Sequence, residues 1–262
     1  MRFVKKNRYT LLSILSVVLF FLIWELITDG LHVFSSVALP SPVKVFTSLI
    51  AKFTSRVPDD STLIDNILSS LQVALAGFGL GALIGVPLGI LMAWFRPVEL
   101  VARPLFDVLR SIAPVAWIPI MVLLFGIGIT AKAAVIFVAS FVPCVVNSYA
   151  GIKQTSQVHL WVGQTFGASN ATQLFKIAIP TALPNIFTGL RLSLGTAWVS
   201  LIAAEMLAST KGLGYMIVIG RMTGRTDIIL VGMLTIGALG AALSFILTKL
   251  EHALVKGRWG ER

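Results

Sequence analysis

Charge and cysteine are scarce in this sequence. Of its 262 residues only 12% are charged, about half the share of an ordinary soluble domain. By contrast 56% are hydrophobic, and the mean hydropathy is +0.91. This balance excludes a soluble globular chain and indicates an integral membrane protein. The single cysteine, Cys144, lies inside a hydrophobic run, so neither a disulfide framework nor a cysteine-based metal site can be assembled. Catalytic signatures are missing as well. There is no G-x-x-x-x-G-K-[ST] phosphate loop, so the chain is not expected to bind ATP itself. No H-E-x-x-H or G-x-S-x-G pattern occurs either. His32, His159 and His252 fall at loops or span ends without metal-ligand spacing. With no internal repeat and no low-complexity tract, residues 1–262 read as one membrane domain.

Long apolar runs are what the sequence has. Lipid offers no partner for a backbone N–H or C=O, so these runs must cross as helices. Six are expected, at about 10–29, 66–95, 104–127, 131–150, 185–208 and 227–250, an all-α polytopic protein. The third carries Pro104, Pro114 and Pro119 and is expected to kink, each proline removing a backbone donor. The first follows Arg2, Lys5, Lys6 and Arg8. It is long for a signal-peptide core and no A-x-A-like site follows, so a retained span is expected. The net charge of +10 would suggest nucleic acid in a soluble protein. Here two thirds of the 21 lysines and arginines gather on the side holding both termini and residues 151–184. By the positive-inside rule that side is cytoplasmic, and the membrane rather than nucleic acid accounts for the charge.

Three segments carry further signals. Ser41 and Pro42 suit the cap and first position of a short helix whose apolar residues run from Val45 to Phe53. It is expected on the outer surface with Lys44 and Lys52 snorkelling. Gly77, Gly81, Gly85 and Gly89 recur every four residues and form a flat stripe for close helix packing. Finally, residues 151–184 are a polar stretch between hydrophobic spans. Val158 to Phe166 has helical length, and Gly167 can take the left-handed conformation that ends a helix. Ser169 can cap a second helix through Ile179, with Pro180 and Pro184 stopping it. Leu174, Phe175, Ala178 and Ile179 recur at spacings of three and four, giving that helix one apolar edge that needs a groove to cover it.

The spacing from Gly167-Ala168 across nine residues to Ile177-Ala178-Ile179-Pro180 resembles the cytoplasmic coupling loop of ABC importer permeases. That signature reads Glu-Ala-Ala, three residues, Gly, nine residues, Ile-x-Leu-Pro. Phe125-Gly126-Ile127-Gly128, Gly189-Leu190-Arg191, Ala203-Ala204-Glu205 and Lys211-Gly212-Leu213-Gly214 are similar to segments of the taurine, aliphatic sulfonate and nitrate permeases. The likeness covers roughly residues 39–252. It implies a type I importer permease fold in a bacterial inner membrane. It also implies a second permease subunit, most simply a homodimer, an external solute-binding protein, and a separate ATPase that holds ATP and Mg, with no cofactor in this chain. On this resemblance Gly167, Ala168, Ile177 and Pro180 match the ATPase-docking motif, and Leu174 and Phe175 lie on the expected docking edge. The chain departs from the signature where Trp161-Val162-Gly163 stand for Glu-Ala-Ala and Ile179 stands for Leu.

Arg191 and Glu205 share the fifth span, about 21 Å apart along its axis, and are the candidates for a translocation path. An acid inside a membrane is by default a functional candidate; a structural pair, for example with Lys211, is the alternative. Arg191 reads most simply as an inner-interface residue. Two rival classes remain. A self-contained secondary transporter would need ion-coupling groups at mid-membrane, and an intramembrane enzyme would need a nucleophile and base at recognisable spacing. Only Glu205 answers the first need, and nothing answers the second.

Overall fold

The computed structural model describes residues 2–31, 35 and 38–254, and within the first helix the side chains of Leu12 and of residue 15 onward. Its described elements are all helical. Helix α1 (Arg2–Glu25) runs into a π-helical turn (Leu26–Gly30). Next comes α2 (Pro42–Lys52), where the Ser41 hydroxyl accepts the Lys44 N–H and Pro42 occupies the first turn, as the sequence predicts. Helix α3 (Leu63–Trp94) opens on a reciprocal capping box between Thr62 and Asp65, which satisfies two donors that the first turn leaves free. Then follow α4 (Arg96–Ser111), a 3-10 turn (Pro114–Trp117), α5 (Ile118–Phe125) and α6 (Ile129–Lys153). Short α7 (Gln157–Thr165) and α8 (Asn170–Gln173) lead through a π-helical turn (Leu174–Ala178) into α9 (Ile179–Leu207). The chain ends its described part with α10 (Leu213–Met222) and α11 (Thr226–Leu254).

The centre is a sandwich of α3, α6 and α9. The glycine stripe of α3 lies buried against α6. A methyl group on Gly77 would sit 2.6 Å from Ile136 Cβ, and one on Gly89 2.5 Å from the Val145 carbonyl oxygen. Backbones this close gain dispersion contacts along the whole crossing, the force that joins helices where lipid cancels the hydrophobic drive. On its other face α6 meets α9 through Gly189, where an added Cβ would lie 2.6 Å from Asn147 Cβ. The same contact holds a Cys144–Ser193 hydrogen bond and a bond from the Thr196 hydroxyl to the Ala139 carbonyl, 2.9 Å. Cys144 is thus a small buried packing residue.

Among the described residues four helical segments are long and apolar enough to cross a membrane, or five if α4 and α5 form one broken span. Several finer expectations need correction. The first expected span lies partly on side chains outside the description, as do His32 and the basic residues near both termini. The third expected span is no single kinked helix: its two halves meet at 91°. Pro114 disfavours the helical region for the residue before it, and Ala113 is accordingly extended at ψ 134°. Pro180 and Pro184 do not stop a helix. Residues 170–207 run as one 38-residue helical segment, because the π turn shifts the hydrogen-bond register, with Ile179 N–H reaching the Leu174 carbonyl, and leaves Pro180 in a first turn where its missing donor is not needed. Finally, Lys52 does not snorkel. It is 1% exposed, paired with Asp59, and donates to the carbonyls of Val57 and Ser61 at 3.1 and 2.7 Å. Those three acceptors use all three of its N–H groups.

Candidate functional site

At one end of the bundle, α7 and α8 form an elbow between α6 and α9. Its hinge is set by local backbone chemistry. Gly167 has φ +75°, its N–H donates to the Gln164 carbonyl, and the Ala168 N–H donates to the Gly163 carbonyl, both at 2.9 Å. That pair of bonds is the Schellman closure of a helix, which requires a residue tolerant of the left-handed region. Ser169 then caps α8 by accepting the Thr172 N–H at 3.2 Å. The buried Gln173 side chain ties the two pieces together by donating to the Ala168 carbonyl at 3.0 Å. Ile177 packs its Cδ1 over Gly163, where a methyl group would come within 2.7 Å. The elbow is therefore braced as one unit.

The apolar edge expected on the second helix is divided. Leu174 and Ala178 are buried in the bundle with Ala93, Ile152, Ala182 and Ile186, whereas Phe175 is exposed. A π turn advances about 4.4 residues per turn, so residues that share a face at α-helical spacing separate. Pro180 is exposed beside them. The larger uncovered surface lies on α7, where Val158, Trp161 and Val162 are exposed, together with Phe166 at 86%. Val158, Trp161 and Val162 carry the i, i+3, i+4 spacing of one apolar helix face, a signal in the sequence that the reading of residues 151–184 did not use.

The opposite end contains the buried carboxylate. Glu205 is 0% exposed and does not pair with Lys211. Its Oε1 accepts the Ser70 hydroxyl at 2.7 Å, and its Oε2 accepts the Gly214 N–H at 2.9 Å. Leu213 N–H donates to Ser70 Oγ at 3.0 Å, and Gly212 N–H to Asn66 Oδ1 at 2.9 Å. Three amides at the start of α10 are thus each taken by a side chain of α3 or α9, and the acceptor oxygens sit where the helix dipole favours them. The network continues, since Asn66 donates to Asp59 Oδ2 at 2.6 Å and Asp59 pairs with Lys52. Glu205 and Arg191 are not brought together. Arg191 lies on the elbow side of α9 and pairs with Glu251 of α11. Among the described residues no cluster of three His, Cys, Asp or Glu could hold a metal ion.

These features agree with what the chain is similar to. Residues 85–259 match the family described as binding-protein-dependent transport system inner membrane component. The taurine transport system permease protein of Escherichia coli is 34% identical over 248 residues, covering 95% of this chain and 90% of that protein. The bicarbonate transport system permease protein of Synechococcus elongatus is 31% identical over 253 residues, covering 94% and 90%. Among solved structures, an inward-facing form of the MetNI methionine ABC transporter superimposes with a TM-score of 0.61 at 18% identity, over 73% of this chain and 95% of that one, a likeness of fold. With the helical sandwich, the glycine-hinged elbow and these relatives together, the chain belongs to the inner membrane components of binding-protein-dependent transport systems, the permease subunits of ABC importers.

Proposed function

We propose that this chain forms the translocation path of an importer whose energy comes from a separate ATPase gripping the elbow. A second copy of the chain completes the pore, and a binding protein outside delivers the solute. The elbow and both termini lie in the cytoplasm, as the distribution of lysine and arginine favours. The solute is a small molecule with an oxyanionic group. Taurine and bicarbonate, the substrates in the names of the two relatives, share that chemistry, and an alkanesulfonate or nitrate would fit it as well.

One observation supports this reading above the rest. A chain with no phosphate loop in its sequence presents Val158, Trp161, Val162 and Phe166 uncovered on an elbow whose shape is held by a Schellman closure. Exposed aromatic and aliphatic anchors on a short rigid helix suit insertion into a groove of a partner. The continuous segment 170–207 reaches from that elbow to Glu205, roughly 55 Å at helical rise. A helix of this length can carry a displacement of the elbow to the far end of the bundle, so that partners gripping it differently in two states shift the pore between them.

The test is purification and reconstitution of the tagged chain co-expressed with a candidate ATPase and binding protein. The reading expects the ATPase to co-purify, and uptake of radiolabelled taurine or bicarbonate into proteoliposomes to require ATP and the binding protein. Uptake driven by an ion gradient alone, with no ATPase present, would establish the secondary-transporter alternative instead.

A further inference from the structure

Two segments noted for their family likeness, 125–128 and 211–214, meet in space and enclose a cavity of about 190 Å³ at the end of the bundle away from the elbow. Its wall includes Ser69 of α3, Gly128 and Lys132 at the start of α6, and Ser209, Thr210 and Lys211 from the α9–α10 connection. Two lysines and three hydroxyls therefore face a space whose lining contains no carboxylate.

Lys132 is the unusual member. It is 5% exposed, and its ammonium donates to Ser209 Oγ at 2.8 Å. It also stands in the first turns of α6, whose N-terminus has no side-chain cap. A cation near a helix N-terminus is opposed by the helix dipole, and burying it adds a desolvation cost. Glu205 lies near Lys132, but its oxygens accept from Ser70 and Gly214 rather than from the ammonium. Asp65, the acid on the Lys211 side, is engaged in the Thr62 capping box. An anion in the cavity would meet an ammonium, the uncapped N-terminus of α6 and several hydroxyls at once, and would relieve the unfavourable placement of Lys132.

We infer that this cavity is an oxyanion-binding subsite of the permease itself, taking the sulfonate or carboxylate-like group of the solute at the outer mouth of the path. The inference rests on the importer reading for its solute class. Lys132 and the α6 N-terminus hold the charged oxygens, Ser69 and Thr210 complete the hydrogen bonds, and Ser209, whose hydroxyl donates to the Lys211 carbonyl, positions the Lys132 ammonium. Lys211, on the exposed rim, draws anions in. Because the α9–α10 connection forms one wall of the cavity, and α9 descends to the elbow, tilting of α9 changes its walls.

The experiment uses the full permease–ATPase complex without binding protein, at fixed ionic strength. Thermal stabilisation is measured with taurine, ethanesulfonate and bicarbonate as probes, and with glycerol and choline as neutral and cationic controls. Saturable stabilisation by an oxyanion and by neither control is expected. Lys132→Gln is expected to weaken the apparent affinity about tenfold or more. Lys132→Arg should keep most of it, and Lys211→Gln, at an exposed position, should weaken it about threefold. Stabilisation by none of the three anions would overturn the subsite, as would equal affinity in the wild type, Lys132→Gln and Lys211→Gln proteins. Either result leaves the importer reading standing if ATP-dependent uptake with the binding protein persists. Loss of ATP dependence in the wild type would instead remove that reading.

Discussion

Ile177 Cδ1 fills the space over Gly163, so that a methyl group on this glycine would sit 2.7 Å from it. The contact joins the two helices of the elbow across the Gly167 hinge. The atom in the way is the far end of a flexible side chain, so Gly163→Ala should be absorbed by a small rotation of Ile177. Gly163→Val adds two methyl groups against the same contact and should splay the elbow, a strain of about 1–3 kcal/mol. The expected outcome is near-normal ATPase co-purification with the alanine variant and a drop of about tenfold with valine, at unchanged membrane insertion. A pull-down in which both variants retain the ATPase equally would show that the brace has no part in docking.

Neighbouring residues of the elbow should behave differently because one is inside and the other outside. Leu174→Asp places a charge among Ala93, Ile152 and Ala182 and should destabilise the bundle by several kcal/mol. Phe175→Asp and Phe166→Asp change exposed positions and should leave the melting temperature within a few degrees while abolishing ATPase capture. Thermal melts alongside pull-downs separate the two effects. A normal melt for Leu174→Asp would contradict its placement in the core.

Glu205 holds the start of α10. Glu205→Ala leaves the Gly214 N–H buried without an acceptor, which costs about 1–3 kcal/mol beyond the lost packing. Glu205→Gln retains an acceptor and the shape, so a loss nearer 1 kcal/mol is expected, with transport preserved. If Glu205→Gln melts like the wild type yet stops transport, the carboxylate is needed by the solute path and not only by α10.

The Lys52–Asp59 pair is fully enclosed. Asp59→Ala strips the ammonium of its counter-charge and should cost about 3–5 kcal/mol. A double change to Lys52→Met with Asp59→Leu removes both charges and should recover a large part of that loss, although Asn66 then loses the partner of its amide. Urea or thermal unfolding of the three variants in detergent measures this. No recovery in the double variant would mean that the cost lies in Asn66 and the loop rather than in the charge.

Legibility divides along physical lines. The left-handed Gly167, the caps at Ser41 and Ser169 and the packing stripe of α3 depend on residues within one or two helical turns, and each is found where the sequence predicts it. The ABC permease family could be read from the Gly-to-Pro spacing for the same reason. The broken third span was only half legible: Pro114 marks the site, but the 91° between α4 and α5 depends on what each half packs against. The apolar edge expected on the second helix was not legible as a divided one, because a π turn at Leu174–Ala178 separates buried Leu174 from exposed Phe175, and α-helical spacing carries no notice of it.

Composition and local spacing by themselves determined that this is a helical membrane permease with a glycine-hinged elbow, since lipid forces backbone bonds to close within each helix. Tertiary structure alone decided what the buried charges do. Lys52, Lys132 and Glu205 look like snorkelling, loop or pore residues along the chain. Lys52 is enclosed by the folding of the loop after α2 onto it, and Lys132 and Glu205 acquire their partners only when packing brings together groups as far apart as Ser70 and Glu205. In a low-dielectric interior a charge is tolerable only where such partners have been assembled around it.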